Sequence, residues 1–176
     1  MAGQTYLTEG PWSDEASAAA EFDALASVDP RFREIHREVR GAYTLRSPFE
    51  HQSSPRIDRI LMPSKALLDT KWETGPIGVE IKAPGTKLGV VVSQCLDYLR
   101  ASFEVRPGYW VTLGQVAIFC CPPIHGDLLS VMVQGRVLAC RLSFDRRLTF
   151  WRNHQQTISL DDPNRNVLPL AKVGSR

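Results

Sequence analysis

The spacing of hydrophobic positions along this chain changes several times, and each change marks a predicted element. Ser13-Asp14-Glu15, a serine cap followed by first-turn acids, opens a helix over the alanine-rich residues 16–26, with Phe22, Leu25 and Ala26 as a narrow apolar stripe. Asp29-Pro30 restarts the chain as a cap and a first-turn proline. Phe32, Ile35, Val39 and Ala42 follow at helical spacing, so residues 30–43 are predicted as an amphipathic helix. Residues 44–55 are polar and proline-bearing and read as a loop. Arg56 to Met62 reads as a strand, with Ile57 and Leu61 on one face, Asp58 and Ile60 on the other, and Pro63 ending it. Residues 64–75 read as an irregular connection or short helical turn. Ile77 to Ala83 alternates: Ile77, Val79 and Ile81 on one face, Gly78, Glu80 and Lys82 on the other. Thr86 to Phe103 is predicted as a helix lined by Leu88, Val92, Cys95, Leu99 and Phe103, with Gln94 and Tyr98 one turn apart at the edge of that face.

Beyond Pro107-Gly108 the pattern turns β-rich. Tyr109 to Cys121 is predicted as one strand, or two joined at Gly114. Gly126 to Phe144 favours strands, with Gln134-Gly135 as a hairpin turn. Leu148 to Leu160 reads as an edge strand. The expected organisation is an acidic N-terminal arm and helix (1–28), a body (29–160) and a C-terminal tail (161–176). The class is α/β.

Composition narrows the partners. Residues 1–30 hold six acids and no Lys or Arg, while the remainder holds 21 basic against 13 acidic residues. A basic body suits a polyanionic partner, although a solvated surface would carry the same charges. No apolar run approaches the roughly 20 residues needed to span a bilayer, and no secretory leader is visible, so a cytoplasmic protein without membrane contact is expected. Cys95, Cys120, Cys121 and Cys140 have neither paired nor finger spacing and read as buried thiols.

The chemistry concentrates between Arg56 and Phe103. Glu80 and Lys82 share one strand face, roughly 7 Å apart along it. Asp58 offers a second carboxylate from a neighbouring strand. Two carboxylates can grip Mg²⁺ while leaving positions for water and phosphate, and a nearby lysine can contact either. The alternative for Glu80 and Lys82 is a salt pair on an exposed strand, which leaves Asp58 and the Gln94/Tyr98 pair unexplained. For Tyr98 alone, packing at a helix edge is the more usual role. Glu38 borders the apolar stripe of the predicted 30–43 helix and is the acid that helix could lend, or simply a solvated glutamate.

Asp58, Glu80-Ile81-Lys82 and Gln94-Cys95-Leu96-Asp97-Tyr98 resemble the motifs of the PD-(D/E)XK nuclease superfamily, in particular its RecB-like and lambda-exonuclease-like branches. The resemblance covers about residues 30–121. It implies a restriction-endonuclease-like fold, a mixed central sheet flanked by helices, across the 29–160 body. It implies Asp58 and Glu80 as metal ligands with the Ile81 carbonyl as a further one, Lys82 as the catalytic lysine, and Gln94 and Tyr98 as positioning or backbone-contacting residues. Glu38 would be the first-helix acid. The implied activity is a Mg²⁺-dependent (or Mn²⁺-dependent) deoxyribonuclease. The runner-up is a catalytically silent nucleic-acid- or protein-binding module on the same fold.

Arg37, Arg40, Arg56, Arg59, Lys87 and Arg100, with Lys65 and Lys71, are the basic residues expected to track DNA phosphates. No sequence-reading motif accompanies them. Two-strand cutting would require a homodimer, and a partner protein would supply targeting. The aromatics Trp110, Phe119, Phe150 and Trp151 are expected in the core rather than stacked on bases.

Overall fold

The computed structural model describes residues 12–43, 54–72, 74–120, 127–152 and 154–166. The protein is α/β, a nine-stranded mixed sheet with helices on both faces. In chain order the elements are α1 (Glu15–Ser27), β1 (Phe32–Tyr43), β2 (Arg56–Pro63), α2 (Lys65–Leu68), β3 (Ile77–Ile81), α3 (Leu88–Tyr98), β4 (Ala101–Arg106), β5 (Tyr109–Thr112), β6 (Gln115–Phe119), α4 (Asp127–Gln134), β7 (Val137–Leu142), β8 (Leu148–Arg152) and β9 (Gln155–Thr157). A 3-10 turn, Pro163–Asn166, follows. The strand order is β5-β4-β1-β2-β3-β6-β7-β8-β9. β3, β6 and β7 run parallel, and the remaining pairs are antiparallel. Among the described residues no helix is long and apolar enough to cross a membrane.

Alternation explains the two cores. In β6, Val116 and Ile118 enter one apolar cluster, with Val91, Val92, Cys95 and Tyr98 of α3 and Met132 of α4. Ala117 and Phe119 enter the other, with Ala18, Phe22 and Ala26 of α1, Leu67 and Trp72. The acidic helix read as part of an outlying arm is therefore a layer of the domain. Its cap is Asp14 rather than Ser13: the Asp14 carboxylate accepts the Ser17 amide at 2.7 Å.

The predicted helix over residues 30–43 is β1. Two backbone irregularities produce its misleading period. A register shift lies between Phe32 and Glu34, and Glu38 has φ of +50°. Phe32 and Ile35 therefore pack on the α1 side, while Val39 packs on the α3 side. β2 changes face with it: Ile57 joins Ile60 and Met62 in the α3-side cluster, and Leu61 packs in the α1-side cluster. Ile57 and Leu61 are thus on opposite faces, contrary to simple alternation.

The helix predicted to Phe103 ends at Tyr98, and Ala101 and Phe103 are core residues of β4. Tyr109 to Cys121 divides at Gly114 into two strands, β5 at the sheet edge and β6 at its centre. Of the stretch Gly126 to Phe144, expected as strands about a turn at Gln134-Gly135, residues 137–142 are a strand, β7, but Asp127–Gln134 is α4, which closes at Gly135, where a Cβ would stand 2.1 Å from Leu96 of α3. Leu148 to Leu160 resolves into β8 and the edge strand β9. Asn166, from the expected tail, is buried and its amide donates to Thr70 and to the Ser159 carbonyl. Cys95 and Cys140 are buried and Cys120 is half-buried, none of them in a disulfide; Cys121 lies outside the described residues. Phe119 and Phe150 are core residues as expected, but Trp110 is exposed on β5.

Candidate active site

The site forms where β2 leaves β3. Their pairing runs from Leu61↔Ile77 to Arg59↔Val79 and goes no further. Beyond it the Ile81 amide donates to Asp58 Oδ2 at 2.8 Å, so a carboxylate stands where a backbone carbonyl would have been. Glu80 projects to the α3 side, in register with Ile118 of β6. Its side chain is 2% exposed. Lys82 follows on the same face, and its Nζ meets Glu80 Oε1 at 2.7 Å. The other carboxylate oxygen, Oε2, is buried without a hydrogen-bond partner. A buried carboxylate oxygen with no donor is costly unless a proton or cation meets it.

The charges respond accordingly. Burial pushes the Glu80 carboxyl up to about 7, the charge of Asp58 adds to the shift, and Lys82 opposes it. Burial works to lower the Lys82 ammonium's pKa, but the hydrogen bond and charge of Glu80, with Asp58, outweigh it and raise it overall. Lys82 is therefore held as a cation.

α3 braces this arrangement. Gln94 Nε2 donates to the Tyr98 hydroxyl, which donates to the Arg56 carbonyl at 2.7 Å. That fixes the start of β2 two residues before Asp58. Burial first, and the Glu80 charge second, push the Tyr98 phenol's pKa upward, so it remains a donor. The spacing seen in sequence thus becomes a physical clamp between helix and strand.

Glu38 is not part of this cluster. It is exposed on β1, 3.2 Å from Arg56 and 3.6 Å from Arg59, and no helix carries it. No helix lends an acid to the cluster among the described residues; Glu15, exposed at the first turn of α1, adds only the smallest of the electrostatic influences on Glu80 and Lys82. In sequence Glu15 reads only as a helix-start acid, and nothing in local spacing ties it to residues 80–82.

The expected phosphate-tracking residues divide. Arg59 is buried, bonded through Nε to Asp23 of α1 at 2.7 Å and to its neighbour's carbonyl at Asp58. It ties α1 to β2 and is not offered to solvent. Arg37 is exposed but paired with the same Asp23 at 2.8 Å. Arg40, Arg56, Lys87 and Arg100 are exposed. A half-open cavity of about 580 Å³, lined among others by Leu25, Arg31, Arg147 and Ile158, shares none of the candidate residues.

Asp58 and Glu80 bring two carboxylates to this point, and one Glu80 oxygen is buried without a partner; carboxylate oxygens are the hard donors that Mg²⁺ takes. Among the described residues no group of three or more His, Cys, Asp or Glu side chains is disposed to hold a metal. Compared with known proteins, the chain matches no family model, no curated protein and no solved structure.

Proposed function

We propose that this protein is a Mg²⁺-dependent deoxyribonuclease of the PD-(D/E)XK type, on a restriction-endonuclease-like sheet. The observation that carries the reading is the convergence of Asp58, Glu80 and Lys82 where β2 and β3 part, with one Glu80 oxygen buried and unpartnered. The Gln94–Tyr98 clamp on the Arg56 carbonyl supports it, because it orients the strand that bears Asp58.

Asp58, Glu80 and the Ile81 carbonyl would hold the ion. When bound there, Mg²⁺ supplies an acidified water and neutralises phosphate charge. The chain's own part is positioning and charge. Lys82, kept protonated, exchanges its Glu80 contact for a phosphate oxygen or the attacking water. Tyr98 and Gln94 keep Asp58 in place as substrate arrives. The exposed Arg40, Arg56, Lys87 and Arg100 offer charge to the DNA backbone.

A catalytically silent binding module is the second reading, favoured by one observation: only two side-chain carboxylates meet at the site among the described residues. The test compares wild type with Lys82→Ala on linear, circular and branched DNA, with Mg²⁺, with Mn²⁺ and with EDTA. Cleavage abolished by both EDTA and Lys82→Ala is expected. Salt-sensitive binding without cleavage would favour the silent module, and cleavage indifferent to Lys82→Ala would overturn the site.

A further inference from the structure

The parallel strands β3, β6 and β7 set one transverse register: Glu80 stands beside Ile118, and Ile118 beside Ala139. Ile118 and Ala139 both belong to the α3-side core. Two residues further along, and on that same face, come Lys82, just past the end of β3, and Arg141 on β7. Where both pair with β6, β3 and β7 lie two strand spacings apart, about 10 Å between backbones. Asp58 thus lies on the strand next to Glu80 on one side, and Arg141 lies two strands away on the other, beyond β6.

Arg141 is half-buried, and its Nε is buried without a hydrogen-bond partner. Among the described residues no carboxylate pairs with its guanidinium. Arg152 on β8 shares this state, with Nε and Nη2 buried and partnerless, but Arg31 is held by Asp29, Arg37 and Arg59 by Asp23, and Arg56 by Glu38. Arg141 is set apart from Arg152 by its register with the Glu80 face. The backbone at Arg141 is also fixed. The Trp151 indole donates to Thr149 Oγ1 at 3.0 Å, and that hydroxyl donates to the Arg141 carbonyl at 3.0 Å. A guanidinium partly removed from water, rigidly based and lacking a counter-charge is set to take an oxyanion.

We infer that Arg141 is an oxyanion-binding residue of the same site, taking a substrate phosphate adjacent to the one at Lys82. That the oxyanion is a nucleic-acid phosphate rests on the nuclease reading. That Arg141 binds an oxyanion rests on its own geometry. The proposed binding track then runs along one face of the sheet from β2 to β7, with a carboxylate end at Asp58 and a cationic end at Arg141. A strand of DNA laid across it presents one phosphate to Lys82 and the next to Arg141.

The experiment is done in EDTA, so that neither metal nor cleavage intervenes. The buried Arg141 Nε–H of wild type is followed by ¹⁵N–¹H spectra while inorganic phosphate or a short single-stranded oligonucleotide is added. Oligonucleotide binding by wild type, Arg141→Gln and Arg141→Lys is measured across a KCl series. The Nε–H resonance is expected to move with both ligands. Arg141→Gln is expected to bind roughly tenfold more weakly and to lower the salt slope by about 0.7, the contribution of one single-strand phosphate contact. Arg141→Lys keeps the slope. Movement with phosphate and no oligonucleotide binding would keep the oxyanion site and sink the nuclease reading. An Nε–H unmoved by either ligand, or wild-type affinity and slope in Arg141→Gln, would overturn the assignment. The wild-type spectra decide the matter even if a variant folds poorly.

Discussion

Glu80 is the residue on which the site's electrostatics turn. Its carboxyl is pushed up to about 7 by burial and by Asp58, against an unfolded value of 4.5. The folded protein therefore holds this proton more tightly than the unfolded chain does. The associated stability is fully present below pH 4.5 and is lost as pH rises through about 7. The expected size is about 2–4 kcal/mol, at roughly 1.4 kcal/mol per unit. Thermal melts of the metal-free protein between pH 5 and pH 8 should show a falling melting temperature, and Glu80→Gln, neutral throughout, should flatten that dependence. Saturating Mg²⁺ should also reduce the slope, because a cation at the unpartnered oxygen stabilises the ionised form. A wild-type slope equal to that of Glu80→Gln would mean that Glu80 does not titrate in this range. The pairing of Glu80 with Lys82 was legible in sequence, because residues two apart on a strand must share a face. The Asp58 bond to the Ile81 amide was not, since it depends on where β2 stops pairing. The weak influence of the Glu15 charge on Glu80 and Lys82 was hidden for the same reason: α1 comes near β3 only through the packing of the folded sheet.

At the scale of elements, the link from α3 to β2 is the feature most open to test. The Tyr98 hydroxyl serves Gln94 on one side and the Arg56 carbonyl on the other. Tyr98→Phe removes both bonds while keeping the ring against Phe103, 5.9 Å away between centroids. The loss should cost about 1–2 kcal/mol in stability, the typical cost of leaving a buried group unsatisfied. On the nuclease reading it should also lower kcat, roughly tenfold, with little change in KM, because Asp58 is displaced while the phosphate contacts remain. Chemical melts and steady-state kinetics check both halves; unchanged kcat would reduce Tyr98 to packing. The clamp was half legible: a spacing of four put Gln94 and Tyr98 together, but nothing in sequence named Arg56 as the acceptor. The failure at β1 has a definite origin. Its register shift and the positive φ of Glu38 each move the apolar set by one position, turning a strand period into one that imitates a helix. The boundary of α3 was missed because Phe103 fits the helical series by spacing while standing, in fact, on the next strand.

The whole molecule depends on α1 more than its acidic sequence suggested. Ala18, Phe22 and Ala26 are buried against the sheet, and the Phe22 and Trp12 rings each lie 5.1 Å from that of Phe119. Asp23 holds Arg59 and Arg37, and Glu21 holds Arg146 near the β7–β8 hairpin. These acids are counter-charges for the body's arginines, so the early acidic stretch and the later basic excess belong to one folded unit. Removing residues 1–28 would expose the α1-side core and leave the buried Arg59 without its carboxylate, a loss of about 3–5 kcal/mol from the ion pair alone. Marginal domain stability of about 5–15 kcal/mol does not survive that together with an uncovered apolar face. The truncated chain is expected to show no cooperative melt and poor dispersion in its amide spectrum. Asp14→Ala, which removes only the helix cap, should cost about 1 kcal/mol and leave the melt cooperative. Were residues 1–28 instead an arm that covers a basic cleft, the truncated protein would fold normally and bind DNA more tightly than the full chain. Comparing the two proteins by calorimetry and by DNA titration separates a structural layer from a detachable mimic of the substrate.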